Sequence, residues 1–343
     1  MSTRAAARCL VLSLVLASVG GARADTGRRL VAIVGGDDDV RQANLIGDSG
    51  EVFAPTGTGT WARRFPGGVA PPVTGAVRVE DGTLFASSAR APLFRLDGAT
   101  WNAAPLPNRG RTILAAGGGA VAAVGRHVYT WRQGAWRRLG AVPGVVEALW
   151  AATATQVYVA TTDGRLLRLQ ATSHAALGHP LPADDSIARL FGHPKGRVFA
   201  LSKNGTVLRI GPRAAVLVRP SAALAGWELQ ASAAAGDGAL WAAGWVPGAG
   251  EAPARAVLAR ATRDELVVVS QLSGITAGDR FELLLVDLQG GVLLTTAAGA
   301  LRYRVAGEGE GGTVAAPWHD AQLADDFSGS APEGRVIGPA RTR

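Results

Sequence analysis

Cysteine is almost missing from this sequence: its 343 residues hold one, Cys9. That residue lies in an N-terminal stretch with the three parts of a secretory leader. Arg4 and Arg8 form a positive start, CLVLSLVLASV (9–19) an apolar middle, and Ala22-Arg23-Ala24 a small-x-small site before a cut. Residues 1–24 are therefore expected to be removed as a signal peptide, leaving a mature chain that starts at Asp25. The mature chain then has no thiol, which excludes disulfides, thiolate metal sites and cysteine nucleophiles. An exported protein without disulfides must be held by its core, and about 300 residues suffice for that.

Long apolar runs are also missing. Eleven residues of helix rise only about 16 Å, roughly half a bilayer core, so the leader's apolar stretch is too short to span. No cysteine follows it to take a lipid, and no integral membrane segment is expected after cleavage. Lysine is scarce as well: Lys195 and Lys203 are the two lysines among 35 basic residues. With the excess of alanine and glycine, this points to a GC-rich bacterial coding sequence. Loss of Arg4, Arg8 and Arg23 with the leader lowers the formal net charge from +8 to +5. The remaining arginines are scattered singly, whereas a nucleic-acid binder gathers them on one face or along one helix. No nucleic-acid partner is expected.

A sustained helical period is absent too. The nearest candidate, SAALAGWELQASAAAG (221–236), divides better into a loop and a strand leading to GDGALWAAG. What is present is a repeat. A small residue or turn is followed two places later by Val or Leu, in GEVFA (50–54), GTLFA (82–86), GAVAA (119–123), TQVYV (155–159), GRVFA (196–200), GALWA (238–242) and GVLLT (291–295). Their starts are 32, 37, 36, 41, 42 and 53 residues apart. Several copies lead through a turn into a second alternating run, as in DGRLLRL after Asp163 and NGTVLRI after Asn204. Period-two alternation buries one face of a strand, and DG or NG supplies the positive φ of a tight hairpin. A four-stranded unit of about 40 residues cannot bury both faces alone, so copies must stack; all-strand repeats of that length mark a β-propeller. The sequence thus predicts an all-β propeller of seven blades with four antiparallel strands each. Six blades is the alternative, because the interval of 53 could hide an insertion or a degenerate blade.

The copy ALWAATATQVYVATTDGRLLRL (148–169) resembles the repeats of bacterial secreted propellers, in which a tryptophan, a [DN]-V-[WY]-A-V core and a D-G-x-[IL] hairpin recur. These are grouped with the YVTN and Asp-box-like propellers, and the resemblance covers about residues 30–305. It implies a fold and carries no function with it. On that fold Trp61, Trp101 and Trp136, at strand starts, read as packing between blades, the alternative being a platform for a ligand such as a sugar.

Candidate chemistry is thin. Asp37-Asp38-Asp39 follows VAIVGG in a loop, but calcium takes about six to eight oxygens and three adjacent carboxylates cannot all turn inward. His174, His179 and His193, with Asp184 and Asp185, crowd the region before the fifth copy. Their spacings of 5 and 14 match no zinc pattern, so polar loop histidines are expected. A sialidase needs a tyrosine nucleophile, and Tyr129, Tyr158 and Tyr303 all fall in predicted strands; GTGTW and LDGATW keep only the tryptophan of an Asp-box. No G-x-S-x-G elbow occurs. GGG at 117–119 and GEGEGG at 307–312 precede no helix that could hold a phosphate. No catalytic, cofactor or metal residue is assigned, and no cofactor is expected.

The domain reading is a signal peptide at 1–24, a propeller at 25–305 and a flexible acidic extension at 306–343, with a strand at TVAAP aside. RRLVAIVGG (28–36) is expected to close the ring by pairing into the blade that contains GVLLTTAAGALRYRV. The functional expectation is a monomeric binding or assembly module, periplasmic or extracellular, for a protein or glycan partner in the cell envelope. The alternative is a glycan-active hydrolase or lyase with acids at the channel mouth.

Overall fold

The computed structural model describes residues 29–35, 39–57, 60–65, 67, 72–79, 81–88, 93–170, 173–193, 197–248, 253–261, 264–272, 275, 279–287, 290–297, 301–304 and 319–324, the last two stretches by backbone. Among the described residues there are 28 strands and no α-helix, only 3-10 turns at Val40–Gln42 and Ala222–Leu224. Consecutive strands group by fours into seven antiparallel blades. The inner strands of blades 1 to 7 are Leu30–Val34, Val73–Arg78, Thr112–Ala116, Val146–Thr153, Ile187–Gly192, Glu228–Ala234 and Phe281–Val286.

Blade 4 shows how the sequence builds one unit. Val146–Thr153 pairs with Gln156–Thr161, placing Trp150 opposite Tyr158. The chain then turns at Asp163-Gly164, where Gly164 has a φ of +80°, and returns as Leu166–Gln170. Alternation sends Val157 and Val159 toward blade 3, into a cluster with Val121 and Ala123. Tyr158 and Ala160 go the other way, into a cluster with Leu190 and Val198 of blade 5. Among the described residues there are seven such clusters, one at each blade junction, so the core is a ring of apolar slabs. Each large side chain buried there contributes about 1.5–3 kcal/mol relative to exposure.

All seven repeat copies are middle strands. Six occupy the second strand of their blade, whereas GEVFA falls on the third strand of blade 1, Val52–Gly57. The reason is the turn at Asp48-Ser49-Gly50, where Gly50 has a φ of +83°, which places the second strand earlier, at Asn44–Gly47.

Ring closure differs from the sequence expectation. Leu30–Val34 does not enter the last blade; it pairs with Asn44–Gly47 of its own blade, Ala32 opposite Ile46. Blade 7 completes itself with His319–Ala324 as its outer strand, next to Leu301–Arg304. That strand lies beyond residue 305, so the ring extends past the expected boundary into the acidic tail. The rest of the tail, including TVAAP, lies outside the described residues, as does the signal peptide. The seam between blades 7 and 1 therefore closes face to face, with Leu283, Leu285 and Leu293 against Ile33, Phe53 and Trp61. A parallel pairing of outer strands adds Gln322 opposite Thr60 and Ala324 opposite Ala62. Asp287 of blade 7, 4% exposed, clips the seam by accepting from the backbone N–H of Val40 at 3.1 Å. The outer strands of blades 5 and 6 form a similar parallel seam, Arg219 opposite Glu265.

Candidate functional site

Six of the seven inner strands break register at one equivalent place. An extra residue is inserted at Val31, Thr74, Glu147, Ala188, Gln230 and Glu282. A bulge re-aims its side chain and bends the strand. Thr74, Glu147, Ala188 and Gln230 line one cavity of about 620 Å³, which lies where the inner strands of blades 2 to 7 begin, at one end of the central channel. Arg111 and Arg280 join the lining from blades 3 and 7, and Lys203-Asn204-Gly205 enters on the hairpin turn of blade 5.

The charges at this mouth are mixed, and three of them, Lys203, Glu147 and Glu228, are held by neighbours. Lys203 lies 3.9 Å from Glu147. Glu228 accepts from the Gln230 amide at 2.9 Å. Beside the mouth, Arg29 and Glu282 pair at 3.2 Å across the junction of blades 1 and 7. The Lys203 turn is braced from below: Asp185, 5% exposed, accepts from the backbone N–H groups of Ser186 at 2.9 Å and Asn204 at 3.3 Å. Asp185, a residue weighed as a metal ligand, thus holds the hairpin that carries Lys203.

The three histidines are dispersed. His174 is exposed on an outer strand opposite Leu169, and His179 bonds through Nε2 to the Gly164 carbonyl at 2.8 Å. His193 is buried past the far end of the inner strand of blade 5. Among the described residues no three His, Cys, Asp or Glu side chains gather for a metal ion. Asp39 accepts from the Arg41 N–H at 2.9 Å and caps the Val40–Gln42 turn; the hydrogen bond from the Arg41 guanidinium holds its carboxyl below the usual range. Asp37 and Asp38 lie outside the described residues.

The tryptophans do what packing between blades requires. Trp61 is fully buried at the closing seam and donates to the Ala43 carbonyl at 2.7 Å. Trp101 reaches from blade 2 to the Gly50 carbonyl of blade 1 at 2.7 Å. Trp136 packs edge-on to Phe85 and Trp131, at 5.2 and 5.5 Å between ring centres. Tyr129 is buried and donates to Asn108, while Tyr158 accepts from the Gln156 amide at 3.1 Å. Only the backbone of Tyr303 is described, in the strand Leu301–Arg304. The glycines at 117–119 also have a packing reason: a Cβ at Gly117 would stand 2.2 Å from the Ala151 carbonyl oxygen of blade 4. GEGEGG at 307–312 lies outside the described residues.

Sequence reasoning missed the mouth residues, because a bulge breaks the alternation used to find strands. A signal was nevertheless there. LVAIV, VTGAV, VEALW, IARLF, LQASA and FELLL align, with the bulged position second in each.

Seven four-stranded blades around a polar channel mouth define the chain as a β-propeller. Solved propellers superpose on it. The WD40 propeller domain of Doa1 has a TM-score of 0.56 at 12% identity, over 86% of this chain and 96% of that one. YCF48 from Cyanidioschyzon merolae has a TM-score of 0.56 at 14% identity, over 80% and 94%. Virginiamycin B lyase from Staphylococcus aureus has a TM-score of 0.51 at 12% identity, over 82% and 92%. At such identities the likeness is one of fold. No protein-family model matches the chain, and no curated protein matches it in sequence. No helix among the described residues is long and apolar enough to cross a membrane.

Proposed function

We propose that this chain is an exported, monomeric propeller that binds a protein or glycan partner of the cell envelope through the channel mouth. The leader-like N-terminus supports export to the periplasm or beyond, and the repeat of residues 148–169 supports kinship with secreted YVTN and Asp-box-like propellers. The observation that carries the reading is the mouth itself. Separate blades contribute Arg111, Lys203, Arg280, Glu147 and Glu228 to one open cavity. Alternating charges on a rigid rim favour a polar partner of complementary pattern and discriminate against like-charged ones. The test is cross-linking and pull-down of the exported protein from its native envelope, beside a variant carrying Arg111→Glu, Lys203→Glu and Arg280→Glu. Loss of one specific adduct in the variant, with folding intact, is the expected result; an unchanged adduct pattern refutes this face as the binding face.

A second reading has one observation in its favour: two carboxylates, Glu147 and Glu228, line the cavity together with Trp227. A glycan-active hydrolase or lyase would use such a pair. Polysaccharide cleavage by the wild type that is abolished in both Glu147→Gln and Glu228→Gln would establish it.

A further inference from the structure

Arg189 has no part in the channel-mouth contacts. It follows the bulge on the inner strand of blade 5, a position that faces the next blade and holds Ala32, Gly75, Ala148, Ala231 and Leu283 in five other blades. Its side chain accordingly runs into the slot between blades 5 and 6, and the residue is 3% exposed. One nitrogen, Nη2, donates to the Ser232 carbonyl at 3.2 Å. Among the described residues Nε and Nη1 find no acceptor, and the hydroxyl of the same Ser232 is also without a partner. The guanidinium carbon stands 5.7 Å from the centre of the Phe191 ring. Burial alone shifts the group, down to about 10, with no carboxylate acting in the other direction. Arg189 is therefore a cation at neutral pH, enclosed and, among the described residues, without a counter-charge.

An isolated buried charge is costly, by several kcal/mol even after relaxation, unless it is paired and hydrogen-bonded. Nε and Nη1 carry three N–H donors, and a hydroxyl can turn to donate as well, so an acceptor with negative charge complements them. Among the described residues no second cation adjoins them to balance a dianion. Phe191 and Leu229 bound the slot, which favours a compact ligand over a branched one. Ala188, the residue before Arg189, and Gln230, two before Ser232, line the channel cavity, so the site lies behind its wall. We propose that Arg189 and the Ser232 hydroxyl bind a small monovalent anion of the halide class between blades 5 and 6, behind the wall of the channel mouth.

The probes are chloride and bromide, used on the full exported chain. Melting is measured in chloride and in gluconate at matched ionic strength, for the wild type, Arg189→Met and Ser232→Ala. The wild type should melt about 2–5 °C higher in chloride, as mass action on a folded-state site requires. Ser232→Ala should reduce that difference, and Arg189→Met should abolish it. Crystals grown in bromide should show anomalous scattering within hydrogen-bonding reach of Arg189 Nε or Nη1. If Arg189→Met fails to fold, the wild-type melting difference and the bromide position decide. Equal melting in the two salts, a bromide peak elsewhere, or a peak at Arg189 without any melting difference (an adventitious ion only) would each overturn the proposal.

Discussion

Replacing Asp287 with alanine tests how the ring is closed. The carboxylate of Asp287 reaches across the seam between the last and first blades to the Val40 N–H at 3.1 Å, and its other oxygen accepts from the Gly291 N–H at 2.7 Å. Val40 is fully buried and Asp287 nearly so. Alanine would leave two enclosed N–H groups without this acceptor, at about 1–3 kcal/mol each. Relief from burying a charge offsets part of that, so a net loss of about 2–4 kcal/mol is expected. In a domain of this size each kcal/mol moves the melting temperature by about 2–4 °C, which gives a drop of roughly 5–15 °C. Asparagine keeps one acceptor oxygen and should lose about half as much. Circular dichroism melts of the three proteins read the effect directly. If Asp287→Ala melts within a degree of the wild type, the seam is held by its apolar faces alone and the clip is incidental.

Other outcomes follow from the same structure. Truncation before His319 removes the outer strand that pairs with Thr60–Phe65 and should lower the melting temperature, while deletion of residues 29–36 removes an inner strand and should unfold the whole ring in one cooperative step. Gly117→Ala places a Cβ 2.2 Å from the Ala151 carbonyl oxygen and should cost about 2–3 kcal/mol, read by urea denaturation. Asp39 and Asp264 are held below the ordinary carboxylate value of 3.8, mainly by hydrogen bonds from Arg41 and Arg209. Their contribution is present above that value and fades as pH falls through their lowered values, so Asp39→Asn and Asp264→Asn should each flatten the acid limb of a stability–pH curve.

The period-two runs and the DG and NG turns were enough to read blades, because each feature is local: Val157 and Gly164 depend only on their own hairpin. Blade number followed from counting, although the first copy falls on the third strand of its blade and the others on the second. Closure was not legible. RRLVAIVGG satisfies a closing strand and an inner strand equally well by pattern, and only the pairing partner separates them. The tail strand His319–Ala324 was hidden by its polar composition, since an outer strand needs little apolar surface. The mouth was hidden for another reason. Thr74, Glu147, Ala188 and Gln230 sit at bulges, where alternation fails, Lys203 sits on a turn, and the set meets only when six blades are placed around one axis. Arg189 shows how much such a frame adds: in sequence it is one scattered arginine, and in the ring it is a buried cation where other blades carry small or apolar residues.

The most direct test of the binding reading is site-specific photo-cross-linking in the native envelope. A photoreactive residue is placed in turn at Lys203 on the channel mouth, at Thr155 on the turn at the opposite end, and at Val268 on the exposed outer strand of blade 6. A discrete adduct from Lys203 alone is the expected result. Adducts from Thr155 or Val268 with none from Lys203 would contradict the assignment of the channel mouth as the face that binds.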